Sequence, residues 1–146
     1  MPSLLDDAIT LAVKVHAGQT DLAGQPYILH PLRVMLAMET EEERVVAVLH
    51  DVLEDGPHWE LLFDASFPEH LLDAIKILTR TPHEPYQDYI RRVAEHSLAR
   101  KVKIADLEDN MDLSRMRGKE FTMKDHDRQT KYGLALTTLR QVEGKE

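Results

Sequence analysis

The stretch VVAVLHDVLED, residues 45–55, decides the fold class. Val45, Val46, Val48, Leu49 and Val52 leave it apolar almost all round, the pattern of a helix at the centre of a bundle. With the acidic residues before it, it predicts a helix over 41–54. Its end carries His50-Asp51 and Glu54-Asp55. His50 and Glu54 are four apart, as are Asp51 and Asp55, a spacing that puts each pair on one helix face. Three carboxylates and an imidazole thus crowd the negative end of a helix dipole, where carboxylates are disfavoured. A bound cation would resolve that conflict. A solvated acidic helix end with a surface histidine is the other reading.

Working outward, the same helical periodicity recurs. Leu4, Leu5, Ala8, Leu11, Ala12 and Val15 follow a plausible N-cap, Ser3, and the helix should end near Ala17-Gly18. Residues 18–28 hold two Gly and a Pro and read as a loop. Pro31 suits the first turn of a helix over 31–39. Further helices are expected near 58–64, from Pro68 to about 78, and over 86–95, 97–116 and 125–141. No alternating strand pattern, repeat or linker interrupts them. The expectation is an all-α fold, one domain over 1–146 with short connections.

Composition narrows the function. The 146 residues suit one domain, and the absence of Cys removes disulfides, thiolate metal sites and cysteine nucleophiles. The 18 Lys+Arg against 26 Asp+Glu give a formal charge of −8, which argues against a nucleic-acid partner. No apolar run approaches the roughly 18 residues of a membrane span. The start, MPSLLDDAIT, is acidic where a signal peptide is basic, so a cytoplasmic protein with no membrane partner is expected. Oligomeric state is left open.

Two more stretches carry chemistry. In PYILHPLRV (26–34), His30 is framed by Pro26 and Pro31; it reads either as a ligand or as a packed or capping histidine. In RKVKIADLEDNMD (100–112), Asp106 sits in an apolar run, where a carboxylate is costly unless paired or metal-bound. Lys101 and Lys103 offer the pairing; Asn110 shares its helix face. His30, His50, Asp51 and Asp106 together suit Mn²⁺, Fe²⁺ or Zn²⁺ better than Ca²⁺ or Mg²⁺. Four protein ligands on an octahedral ion leave room for water and a phosphoryl oxygen, with Glu54 and Asp55 beside it for proton transfer. Lys101, Lys103, Arg115, Arg128 and Lys131 are candidates to hold phosphates. His16 and Gln19 read equally as pocket lining or structure. His58, His70, His83, His96 and His126 read as surface residues, and Tyr86, Tyr89, Met111 and Met116 as packing.

The ordered set HAGQTDLAGQPYILHPLRV (16–34), AVLHDVLED (47–55), LTRTPHEPYQDYIRRV (78–93) and VKIADLEDNMD (102–112) resembles the HD-domain hydrolases of the RelA/SpoT type, especially the small stand-alone alarmone hydrolases. The resemblance spans most of the chain. It implies a helical HD-domain bundle that binds one Mn²⁺-like ion through His30, His50, Asp51 and Asp106. It implies catalytic carboxylates at Glu54 and Asp55 and a nucleotide contact at Asn110; Lys103, His16 and Arg115 are added as substrate-binding candidates from the residues themselves. The implied reaction is removal of pyrophosphate from the 3′ position of guanosine tetra- or pentaphosphate. Metazoan relatives also act on NADPH. No synthetase segment follows in these residues, so alarmone synthesis is not expected.

Two positions depart from the pattern. The family carries basic residues in the loop after His16-Ala17-Gly18-Gln19, one of them packed on the guanine; here Asp21-Leu22 stand there. The usual basic residue after the metal-site aspartate is Leu107. Both leave the phosphate chemistry intact and weaken guanine recognition, because Arg stacks on a planar base as Asp cannot. The alternatives are therefore an HD phosphohydrolase for another phosphorylated nucleotide, or a nucleotide-binding module without turnover.

Overall fold

Three helix starts share one local device. Ser3, Thr40 and Thr122 each accept from the backbone N–H three residues on, and Asp6, Glu43 and Asp125 bond back to the cap's own N–H. In this computed structural model, which describes residues 1–54 and 58–145, they open α1 (Leu4–His16), α3 (Glu41–Leu49) and α8 (Met123–Glu143). Between them lie α2 (Leu29–Leu36), α4 (Trp59–Asp64), α5 (Glu69–Leu78), α6 (Tyr86–Ala94), α7 (Ser97–Asn110) and a 3-10 helix, Leu113–Met116. Among the described residues there is no strand, only an isolated bridge between Thr20 and Pro26. No described helix is long and apolar enough to cross a membrane.

The apolar stretch is the centre of the bundle, as its composition predicts. Val45, Val46, Ala47, Val48 and Leu49 are all fully buried. Their helix, α3, packs against α1, α2, α5 and α7. Each buried Val or Leu there contributes roughly 1.5–3 kcal/mol. Arg100, itself buried, donates to Glu143 at 2.7 Å and to the Ala94 carbonyl at 2.6 Å, tying α8 across α7.

Several boundaries differ from expectation, each for a local reason. α3 stops at Leu49 instead of running to residue 54. The Ala47 carbonyl, which a continuing helix would offer to the Asp51 N–H, takes the His50 ring at 2.6 Å and its amide at 3.4 Å. Tight turns follow, with Val52 N–H on Leu49 and Glu54 N–H on Asp51. His50 and Glu54 are therefore not stacked on one helix face, and Asp55 lies outside the described residues. α2 begins at Leu29, so His30 is inside its first turn rather than ahead of it. α7 ends at Asn110, because Arg115 caps the Asp109 carbonyl at 2.9 Å and Asp112 restarts the chain as a 3-10 turn by accepting from Ser114 at 3.0 Å. The last helix is longer at both ends than 125–141.

The loop before α2 is itself folded. Asp21 N–H bonds the Gln25 carbonyl at 2.8 Å and Tyr27 N–H bonds Gln19 at 2.8 Å. Gly24 turns the tip at a φ of 83°, the left-handed region that side chains disfavour. This closed loop holds Tyr27 one turn ahead of His30.

Candidate metal centre and adjoining cleft

His30 from α2, His50-Asp51 from the end of α3 and Asp106 from α7 converge. His30 Nε2 is 2.8 Å from Asp106 Oδ1 and 3.8 Å from Asp51 Oδ2. His50 Nε2 is 3.1 Å from Asp51 Oδ2 and 3.3 Å from Asp106 Oδ1. His30, His50 and Asp106 are buried, and Asp51 is half-buried.

The tautomers follow from what the other ring nitrogens do. His30 Nδ1 lies 2.7 Å from the Asp109 carboxylate, and His50 Nδ1 lies 2.6 Å from the Ala47 carbonyl. Both acceptors require an N–H there, so in the neutral rings each Nε2 turns a lone pair toward carboxylate oxygens. His50 Nε2 is buried and has no hydrogen bond of its own. Lone pairs facing carboxylates repel unless a proton or a cation lies between them. His30, His50 and Asp106 each offer one donor atom within 4.8 Å of the others, a set that fits a divalent transition metal, and Asp51 Oδ2 borders the two imidazoles.

The electrostatics without metal agree. Burial opposes protonation of both rings, but bonds from His30 to Asp106 and Asp109, and the charges of Asp51 and Asp106 beside His50, raise both pKa values, that of His50 well above its usual range. Burial likewise opposes ionisation of Asp51 and is outweighed by His50, which holds that carboxyl at about 2. Asp106 is held far below the usual carboxylate range, against its burial, by Lys103 at 2.8 Å and by both histidines. The lysine pairing anticipated for Asp106 is thus real and falls to Lys103. Lys101 pairs with Glu43 instead, at 2.9 Å.

Glu54 borders a depression shared with Asp51, Tyr27, Gln19 and Thr20. Its pKa is raised by burial and by Asp51, against a 3.3 Å bond from the Arg80 N–H. Beside the cluster opens a cleft of about 460 Å³, whose lining includes Tyr27, His30, Arg33, Asn110, Arg115 and Tyr132. Asn110 donates to Asp106 at 3.1 Å. Arg115 and Arg128 reach the same cleft, and so does Met116, expected in the core. Lys103 is taken up by Asp106 and lies 5.2 Å from the Tyr89 ring centre. His16 is buried behind Tyr27, at 5.0 Å between ring centres, with Nδ1 on Gln19. Of the set-aside histidines, His96 caps α7 by accepting from Ala99.

Three participants escaped the sequence reading. Tyr27 donates its hydroxyl to Asp51. Asp109 receives His30, and Arg33 donates to Asp109 at 2.7 and 3.1 Å. Arg33 is three residues from His30 and Asp109 three from Asp106, so helical spacing alone places each beside a candidate ligand.

The described residues form an all-helical bundle around a buried histidine–aspartate centre. No family model matches the sequence. It is 32% identical over 122 residues to the bifunctional (p)ppGpp synthase/hydrolase SpoT of Escherichia coli, and 29% identical over 109 residues to a guanosine-3′,5′-bis(diphosphate) 3′-pyrophosphohydrolase of Vibrio cholerae. These matches cover 73% and 72% of this chain but only 17% and 15% of the relatives. The structure superposes on that of a metazoan ortholog of SpoT that hydrolyzes ppGpp, with a TM-score of 0.74 at 20% identity, covering 95% of this chain and 86% of the other. The chain is thus similar to the (p)ppGpp hydrolases of the RelA/SpoT type and carries their HD-domain fold.

Proposed function

We propose that this chain is a metal-dependent guanosine 3′,5′-bis(diphosphate) 3′-pyrophosphohydrolase. The observation that carries the reading is the pair of imidazoles whose Nδ1 atoms are committed elsewhere and whose Nε2 atoms meet Asp51 and Asp106. The names of its relatives supply the substrate. His30, His50, Asp51 and Asp106 would hold the ion, with Mn²⁺ as the proposed one. Such an ion supplies Lewis acidity toward a phosphoryl oxygen and a water.

The side chains do the rest. Water adds to the phosphorus bonded to the ribose 3′ oxygen, the bond to that oxygen breaks, and pyrophosphate leaves. The water gives up a proton and the 3′ oxygen takes one. Glu54, with its raised pKa and its place beside Asp51, is suited to move a proton. Asp55 is proposed as its partner on sequence grounds. Tyr27 orients Asp51 through its hydroxyl. Asn110 and Arg115 line the cleft on the nucleotide side, with Lys103 behind at Asp106. A cytoplasmic setting, where nucleotides are available, belongs to the same proposal.

One observation favours a second substrate within this reaction class. Asp21 spends its carboxylate on the Ala23 and Gln25 amides, at 2.9 Å each, and Leu22 is exposed at the cleft edge. Neither offers a base the polar edge or cationic face that would select guanine, so another phosphorylated nucleotide is the alternative. Incubation of the purified chain with Mn²⁺ and a nucleotide panel, read by ³¹P NMR, tests both. Pyrophosphate and GDP from the alarmone support the main reading. Turnover confined to another nucleotide supports the alternative, and no turnover of any overturns the hydrolase assignment.

A further inference from the structure

Asp109 is bound more heavily than a surface carboxylate needs to be. Its Oδ2 lies 2.7 Å from His30 Nδ1. Arg33 grips both oxygens, Nε to Oδ1 at 2.7 Å and Nη2 to Oδ2 at 3.1 Å. Arg115 approaches the same carboxylate at 3.5 Å while bonding the Asp109 carbonyl at 2.9 Å. The side chain is 12% exposed. Swinging the carboxylate away would break a bidentate pair and leave a guanidinium unmatched, so its orientation is fixed from two sides.

We infer that Asp109 is a positioning residue for the metal centre: it accepts the Nδ1 proton of His30, fixes that ring's tautomer and aims Nε2 at Asp106 Oδ1, on the side where His50 Nε2 also lies. The inference deepens the hydrolase reading and rests on the same centre. The two histidines differ in this respect. His50 is oriented by a backbone carbonyl, which no substitution removes, and His30 by a side chain. A carboxylate partner also makes the imidazole a stronger donor than a carbonyl partner does. Arg33 is then the support of the support: it holds the carboxylate square to the ring.

Arg33 and Arg115 both line the cleft. Loss of Asp109 therefore separates two effects that general loosening would not. Metal binding weakens, while Arg33 loses its carboxylate partner and Arg115 keeps its bond to the backbone carbonyl of residue 109, which leaves the cleft no less attractive to a phosphorylated nucleotide. The experiment is Mn²⁺ titration calorimetry on the full chain with Asp109→Ala, the isosteric Asp109→Asn and Arg33→Gln, alongside KM at saturating Mn²⁺. The expected weakening for Asp109→Ala is about 10- to 100-fold in Mn²⁺ affinity, with Asn and Arg33→Gln intermediate and KM not raised. Wild-type-like affinity in a folded Asp109→Asn and Asp109→Ala overturns the inference. So does Arg33→Gln weakening binding more than either, or KM rising in step with the metal constant. If the Ala variant does not fold, the Asn and Arg33→Gln variants carry the test. Wild-type protein that takes up no Mn²⁺ overturns the metal reading itself, and this inference with it.

Discussion

Replacing Asp106 by Asn tests whether the cluster is as desolvated as its geometry requires. Asp106 is buried and sits 2.8 Å from Lys103 Nζ, 2.8 Å from His30 Nε2, 3.1 Å from Asn110 Nδ2 and 3.3 Å from His50 Nε2. Asn fills the same volume, so no cavity forms, but it leaves Lys103 without its counter-charge. Breaking a buried pair by removing one partner costs about 3–5 kcal/mol. For a domain of this size, at about 2–4 °C per kcal/mol, that is a fall in Tm of roughly 6–20 °C. The assay is urea and thermal unfolding in the presence of a chelator. Lys103→Met placed on top of the Asn variant should restore about 1–3 kcal/mol, because the stranded charge is then gone. A variant Asp106→Asn within about 1 kcal/mol of wild type would refute the reasoning, since it would mean that water already solvates the pair.

Three further outcomes follow from the same geometry. His30 and His50 have raised pKa values in the metal-free protein, so their contribution is full below the ordinary histidine value of about 6.5 and is lost as pH rises through the folded values; chelator-treated protein should lose stability on that rise, while Mn²⁺ affinity should increase over the same range, both by titration at fixed ionic strength. Tyr27→Phe removes the hydroxyl that Asp51 accepts and should lower Mn²⁺ affinity or kcat/KM about 10- to 100-fold with the fold intact; unchanged values in both would exclude Tyr27 from the centre. Glu54→Gln should leave Mn²⁺ binding intact and lower kcat about 10²- to 10⁴-fold; an active variant would remove Glu54 from proton transfer.

How much of this was legible in the sequence depends on which interaction set each feature. The central helix was, because five consecutive buried residues leave no polar face to misread. Its end was not, because a side-chain bond from His50 to its own helix, invisible to apolar periodicity, cuts the helix at Leu49. The convergence of His30, His50, Asp51 and Asp106 was legible from the order of the motifs. The partners that orient them were not singled out, since Tyr27 acts from a folded loop across 24 residues and Asp109 across 79. The three-residue offsets of Arg33 and Asp109 from candidate ligands were a usable signal that residue type alone does not rank. Lys103 shows the opposite limit: two opposed readings of Asp106, ion pair and metal ligand, turned out to be compatible, because each of its oxygens has its own partner.

His30 from α2, Asp106 from α7 and His50 and Asp51 from the turn that ends α3 are proposed to hold one divalent ion. Anomalous diffraction at the manganese edge, on crystals grown with Mn²⁺, tests it most directly. A single strong peak is expected, with His30 Nε2, His50 Nε2 and one oxygen each of Asp51 and Asp106 at about 2.0–2.3 Å, the usual span of transition-metal bonds. A peak elsewhere, or none among these four side chains at saturating Mn²⁺, would contradict it.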